Sequence, residues 1–313
     1  MNLNQLTRNI DHFARLATNR LRDAEKGLSE KSKYNIRQEV NNIAADIKAA
    51  DIKTTTPSKM TPQEFKELAE YWKNKGYAVG TLQNKATIMR EILTAAGNKE
   101  AAAVSNAELG FSKGRDILNS ANVNKSATIP TAELSKIAQS KPDVAAALLL
   151  AEAYGLRKKE AISVVRELSR SHFPTANNGA DLKLTKKHGT KGGRERTFTM
   201  PDGSAALKTA AAMVKDFNVN AFSIKERTNR VDAAVKSLKQ SLNNKKLTVH
   251  GLRHGYAQSR YKALTGMSAP ASGGVKYANM TDAQKALYDK ANEIISKELG
   301  HNREEISRAY LGK

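Results

Sequence analysis

The 313 residues carry 52 Lys and Arg against 31 Asp and Glu, a formal charge of +21, and include no cysteine. Disulfides, thiolate metal sites and cysteine nucleophiles are therefore excluded, and the positive excess points to a polyanionic partner. No run of about 18 apolar residues offers a membrane span, and the polar opening MNLNQLTRNI is not a secretory signal, so a cytoplasmic, nucleoid-associated protein is expected.

At this length two domains are expected, each with its own core. Leu3, Leu6, Ile10, Phe13, Ala17 and Leu21 step by three and four and predict a first helix; Ile36, Val40, Ile43 and Ile47 predict a second. Thr61-Pro62-Gln63-Glu64 is a capping box with proline at the first helical position, and it opens a helix bearing Phe65, Leu68 and Trp72. Another helix runs from Thr81 through Ile88, Ile92 and Leu93 and stops at Gly97. These stripes predict the core of a small helical bundle and hold no candidate catalytic group. The stretch NSANVNKSATIP (119–130) is polar, lacks periodicity and ends in proline, which marks it as the linker. The expected domains are thus 1–124 and 125–313. Residues 1–125 hold 20 basic and 14 acidic residues and residues 126–313 hold 32 and 17, so the second domain carries most of the field.

Beyond the linker the pattern mixes. Val144 to Tyr154 predicts an apolar helix closed by Gly155. DLKLT (181–185) and RTFTMP (196–201) predict two strands around the basic, glycine-bearing turn KKHGTKGGRE. Helices follow, one with Val231, Ala234, Val235 and Leu238 on a face, one from His250, and one with Leu287, Ile294, Ile295 and Leu299 that ends at Gly300. Asn302 and Glu305 can cap a short last helix holding Ile306 and Tyr310. The fold class expected is mainly α with a small β-hairpin: a helical bundle followed by a mixed α/β domain.

Candidate chemistry collects in four stretches of the second domain. AYGLRKKEA (153–161) sets Arg157 just after a helix-ending glycine, and HGTKGGRERTFTMP (188–201) offers Lys191 in the turn. TVHGLRHGYA (248–257) puts His250 and Arg253 three apart, hence on one helical face, where an imidazole and a guanidinium together suit a phosphate. ELGHNREEISRAYLG (298–312) carries His301 and, nine residues on, Tyr310.

In these motifs, GLRKKE, TKGGRER, HGLR, LGH and RAYLG taken in order, the chain resembles the tyrosine recombinases, the phage-type integrases. The resemblance spans about 126–313; residues 1–120 match the family's SAM-like, core-DNA-binding clamp only in type and position. It implies a site-specific recombinase of a mobile element that breaks and rejoins DNA through a 3′-phosphotyrosyl intermediate. Arg157 and Arg253 would fork around one phosphate, Tyr310 would attack phosphorus, Lys191 would protonate the leaving 5′ oxygen, His250 would take the tyrosine proton and His301 would hydrogen-bond the phosphate. Neither ATP, a metal nor another cofactor is implied. The implied partners are double-stranded attachment sites, a homo-tetramer on DNA, and an excisionase or host DNA-bending protein. Two rivals share these features: a type IB topoisomerase-like enzyme, and a DNA-binding protein without catalysis.

Several positions stay open at this level. Glu160 either orients Arg157 or His250 or forms a plain surface pair, His254 either supports the fold or contacts DNA, and Lys186 and Lys187 share the hairpin with Lys191. Between Arg253 and His301 lie 47 residues, more than compact family members have, so TGMSAPASGGVKYANMTDAQ (265–284) reads as an insertion that contacts DNA, contacts a neighbouring protomer or is a flexible loop. Only three residues follow Tyr310, where relatives carry a segment that docks on the next protomer, and the insertion is a candidate substitute.

Overall fold

The apolar stripes of the first hundred residues have one low-energy arrangement, in which each helix turns its stripe toward the others. In the computed structural model, which describes residues 3–23, 30–54, 56–111, 123–170, 181–199, 204–301 and 304–313, the chain divides into two units, Met1–Arg115 and Asp116–Lys313. Among the described residues the fold is mainly helical, with a single two-stranded sheet. No helix among them is long and apolar enough to cross a membrane.

The first unit holds α1 (Leu3–Asp23), α2 (Glu30–Ala49), α3 (Pro62–Asn74), α4 (Val79–Ala95) and the single turn α5 (Lys99–Ala102). Leu6, Ile10, Val40, Ile43, Ile47, Phe65, Leu68, Trp72, Ile92 and Leu93 are buried together, as their spacing predicts. The capping box closes as expected: the Glu64 amide donates to Thr61 Oγ1 at 3.1 Å, and the Thr61 amide donates to Glu64 Oε2 at 2.8 Å. The spacing did not reveal a buried ionic centre. Asp46 of α2 accepts from Trp72 Nε1 (3.0 Å), Lys75 Nζ (2.8 Å) and Lys85 Nζ (3.0 Å), and Lys85 also pairs with Glu39 at 2.6 Å. A buried carboxylate needs such partners to stay charged, so this cluster fixes the register of α2, α3 and α4 against one another.

The second unit is built around α7 (Pro142–Tyr154), whose Val144, Ala145, Ala146, Leu148, Leu150 and Ala151 are all buried. A helix apolar on every side must be covered on every side. α6 (Thr131–Ser140), α8 (Lys158–Leu168), α9 (Ala205–Val214), α10 (Ile224–Ser241) and α11 (Val249–Thr265) provide that cover. Gly155 ends α7 at φ +58°, and a Cβ there would lie 2.5 Å from the Tyr256 ring and 2.9 Å from Leu299, so glycine is required twice over.

β1 (Asp181–Leu184) and β2 (Arg196–Thr199) pair antiparallel with Leu184 opposite Arg196. The connection between them is wider than the tight turn expected. It runs through 185–195 with two single turns of 3-10 helix, in which Gly189 and Gly193 take positive φ.

α12 (Asp282–Glu298) and α13 (Glu304–Leu311) complete the unit. Leu287 does not belong to the core stripe: it is 45 % exposed, and Tyr288, Ala291 and Ile295 line the buried side instead. A step of three and four from Ile295 reaches Tyr288 and Ala291, which sets the face one residue away from Leu287. The expected cap Asn302 lies outside the described residues. The 265–284 segment is no featureless loop. Ala269 and Met280 join Tyr261, Tyr288, Tyr310 and Leu311 in one buried cluster, and Tyr288 Oη donates to the Gly312 carbonyl at 2.5 Å.

The expected linker is described from residue 123; 119–122 lie outside the described residues. Its Ala127 and Ile129 are buried: the stretch lies along α11 at Ala127, and the Ile129 amide donates to Glu152 of α7 at 3.3 Å. The Ala127 amide donates to the Gly251 carbonyl at 3.0 Å, and Gln258 Nε2 donates to Asn124 Oδ1 at 3.3 Å. Gly251 and Gly255 make the approach possible: a Cβ on Gly255 would stand 2.7 Å from the Ala127 carbonyl oxygen, and one on Gly251 3.2 Å from that of Lys125.

Candidate functional site

Three helix ends and one helix face converge on a patch of the second unit. α7 ends at Gly155, α8 begins directly after Arg157, and α12 ends at Glu298. The last carbonyls of a helix have no intrahelical donor and carry its negative pole, so a C-terminus buried here needs cations. The chain supplies three. Leu299 O accepts from Arg157 Nη2 at 3.2 Å and from Arg253 Nη2, and Glu298 O accepts from Arg196 Nη1 at 2.7 Å. Arg253 Nη1 donates to Gly155 O at the end of α7.

Like charges so close need an anion as well. Glu160, 0 % exposed in the first turn of α8, provides it. Its Oε1 accepts from Arg157 Nη1 at 2.9 Å, and its Oε2 accepts from the Arg157 amide at 2.8 Å and from Arg196 Nη2 at 2.5 Å. Of the readings open for Glu160, the arginine-orienting one fits the structure; a surface pair does not. Three guanidiniums against one carboxylate leave the patch positive and suited to a further anion. Burial, offset by Glu160 and reinforced by Arg253 and Arg157, holds Arg196 down to about 10, so it is still charged at neutral pH.

Arg253 is 1 % exposed, and its Nε donates to Tyr310 Oη at 3.3 Å. Tyr310, itself 5 % exposed, thus sits inside the arginine cluster of its own chain. Three imidazoles surround its ring: His254 at a centroid separation of 4.4 Å, His250 at 5.5 Å and His301 at 5.7 Å. His301 Nε2 also lies 3.3 Å from Arg253 Nη2. Burial, together with Arg253, Arg157, Arg196 and Lys191, pushes the His301 pKa down to about 3. Burial, then Arg253, Lys125 and Arg157, lower that of His250 as well. Both rings are neutral at pH 7, so they offer a lone pair as well as an N–H.

The structure therefore gathers five of the six sequence-predicted residues into one cluster: His250, Arg253 and His301 around Tyr310, with Arg157 sharing the Leu299 carbonyl with Arg253. Lys191 is placed differently. It is exposed on the β1–β2 connection, at the rim of a cleft whose walls include Arg157, Thr190, Arg194, Arg196 and His301. A second cleft on the other side of Arg157 is walled by His250, Arg253, Thr248 and Lys158, the last paired with Asp232 at 2.6 Å.

Sequence reasoning missed Arg196 and Gln258 and left His254 open. Arg196 carried a signal: it opens β2 across from the buried Leu184, so a charge falls on the inward side of a two-residue alternation. Gln258 carried none beyond its place one turn after His254.

Two family models and several solved structures match the chain. The family model described as Integrase matches residues 116–259, and that described as Phage integrase, N-terminal, matches residues 5–102. Among solved structures, the Tn1549 transposon integrase in complex with circular intermediate DNA has a similar fold. It is 15 % identical, with a TM-score of 0.50, over 96 % of this chain and 95 % of that one. The same integrase in complex with transposon right end DNA gives 13 % identity and a TM-score of 0.54 over 96 % and 95 %. No curated protein is similar enough in sequence to match.

Proposed function

The chain belongs to the tyrosine recombinase family of phage-type integrases, and from that premise we propose that it integrates or excises a mobile element by cutting and resealing duplex DNA at Tyr310. The observation that carries the reading is the Tyr310 hydroxyl held 3.3 Å from Arg253 Nε inside a cluster of three guanidiniums that the single carboxylate of Glu160 neutralises only in part. A scissile phosphate would balance the remaining positive charge. Arg157 and Arg253 each present a guanidinium edge to its non-bridging oxygens, and His301 adds a hydrogen bond.

Tyr310 Oη attacks phosphorus and passes its proton to His250. The P–O5′ bond breaks, Lys191 protonates the departing 5′ oxygen, and the phosphodiester is stored as a 3′-phosphotyrosine. Attack by a partner strand's 5′-hydroxyl reverses these steps and reseals DNA without ATP. The reading needs no metal: the arginines neutralise the phosphate, and the nearest buried carboxylates, Glu160 and Glu298, are engaged by Arg157, Arg196 and Arg260. Residues 1–124 act as a DNA-binding module beside the catalytic domain at 125–313. Exchange between two sites requires four active centres, hence a tetramer on DNA, with an excisionase or host bending protein setting direction.

Attachment-site DNA can be copied from direct repeats at the ends of the element that carries the gene. On a nicked suicide duplex of that sequence, wild-type protein forms a covalent adduct in excess EDTA, while Tyr310→Phe binds equally and forms none. Adduct from the phenylalanine variant would sink the assignment of the nucleophile. Exchange between two linear duplexes separates a recombinase from an enzyme that only relaxes supercoils.

A further inference from the structure

α11 carries more toward the tyrosine than His250 and Arg253. His250, His254 and Gln258 are spaced four apart, so they form one row along the helix. His254 is 4 % exposed and lies edge-on to His250, with centroids 5.0 Å apart. Its ring packs on that of Tyr310 with centroids 4.4 Å apart, which brings it against the Tyr310 main chain; the contact there favours a charged ring, so the ring is the donor and the carbonyl the acceptor, and since Nδ1 has no partner the donor is Nε2. Gln258 Nε2 donates to the same carbonyl at 3.1 Å.

That carbonyl belongs to the last turn of α13, where no intrahelical N–H can reach it. Two side chains of α11 therefore cap the helix that bears the nucleophile, at the residue that is the nucleophile. We propose that His254 is a positioning residue for the reaction assigned above, holding the Tyr310 carbonyl so that the phenol meets Arg253. The inference rests on that reading of Tyr310. A histidine that merely filled space could be replaced by another ring. One that holds a carbonyl can be replaced only by a donor at the same reach, and the Nε2 of glutamine matches the histidine Nε2.

The test measures the rate of adduct formation by the full chain on the nicked suicide duplex, beside DNA affinity. His254→Phe is expected to slow adduct formation by about tenfold to a hundredfold, the usual effect of a misplaced reacting group, with DNA affinity retained. His254→Gln is expected to recover most of the wild-type rate. A phenylalanine variant at wild-type rate, or a glutamine variant as slow as phenylalanine, overturns the proposal. Should the residue-254 variants not fold, Gln258→Ala removes the second donor and is expected to slow the same step; an unchanged rate there also overturns it. Absence of adduct from wild-type protein is a different result, and it refutes the function assigned to Tyr310 instead.

Discussion

Glu160→Gln replaces one atom and removes the only carboxylate among three guanidiniums. Glu160 is fully buried and receives hydrogen bonds from Arg157 through both the main chain and the guanidinium, and from Arg196. An amide at this position has one accepting oxygen for three donors, and its own NH2 group faces arginine N–H groups that it cannot satisfy. Removing one partner of a buried ion pair costs about 3–5 kcal/mol, because the other charge remains buried without it. For a unit the size of Asp116–Lys313, each kcal/mol moves the melting temperature by about 2–4 °C, so its transition should fall by roughly 6–20 °C.

The sign of a second effect follows from the same electrostatics. Without Glu160 the cluster has no internal anion, so a bound phosphate replaces more of the missing charge than it does in the wild type. Duplex DNA should therefore raise the melting temperature of the variant more than that of the wild-type chain. Calorimetry with and without DNA reads both quantities. A variant that melts with the wild type would show that Arg157 and Arg196 find water or carbonyl partners, and the account of Glu160 as their counter-ion would be wrong.

Lys191→Ala should cut ordinary DNA about a hundredfold to ten-thousandfold more slowly, yet cut a 5′-bridging phosphorothiolate at near the wild-type rate, because sulfur leaves without a proton; equal defects on both would reassign the acid to Lys186 or Lys187. The chain should lose stability in mild acid. Burial first, then neighbouring cations, pushes His254 from 6.5 down to about 4 and His301 down to about 3, so below pH 6.5 the unfolded chain takes up protons that the folded one refuses. Stability is complete above pH 6.5 and falls toward pH 4, by up to about 2 kcal/mol per ring at pH 5. Melting curves between pH 7 and 5 should show the fall, less steeply in His254→Gln; a flat profile would refute it. Gly155→Ala combines a left-handed backbone with a Cβ against Tyr256, and should cost about 2–4 kcal/mol, read as an earlier thermal transition.

What was legible in the sequence was whatever a local rule controls. The stripe on α2, the capping box at Thr61 and the glycine closing α7 each depend on neighbours within a turn or two. The five motifs were legible for another reason: charged and titratable side chains of fixed type are needed around one phosphate, whatever holds them there. Contacts between distant segments were not legible. Arg196 reaches Glu160 only once β2 has its register, His254 reaches Tyr310 only once α11 and α13 have packed, and the ionic centre at Asp46 gathers side chains from three helices. Leu287 misled because hydrophobicity alone does not say which of two adjacent faces the helix turns inward.

The stretch laid along α11 also decides where the chain can be cut. Dividing it at 124/125, as composition suggests, separates Asn124 from Ser126, whose amide and hydroxyl both donate to the Asn124 side chain, and takes away the acceptor of Gln258. A fragment beginning after Ile129 would lose the Ala127 amide as well, and would leave Gly251 and Gly255 as a bare notch on the helix that presents His250 and Arg253. A catalytic fragment that reports faithfully on the whole enzyme must keep everything from residue 123 onward, so that a weakness seen in it belongs to the missing first unit and not to a helix stripped of its flank.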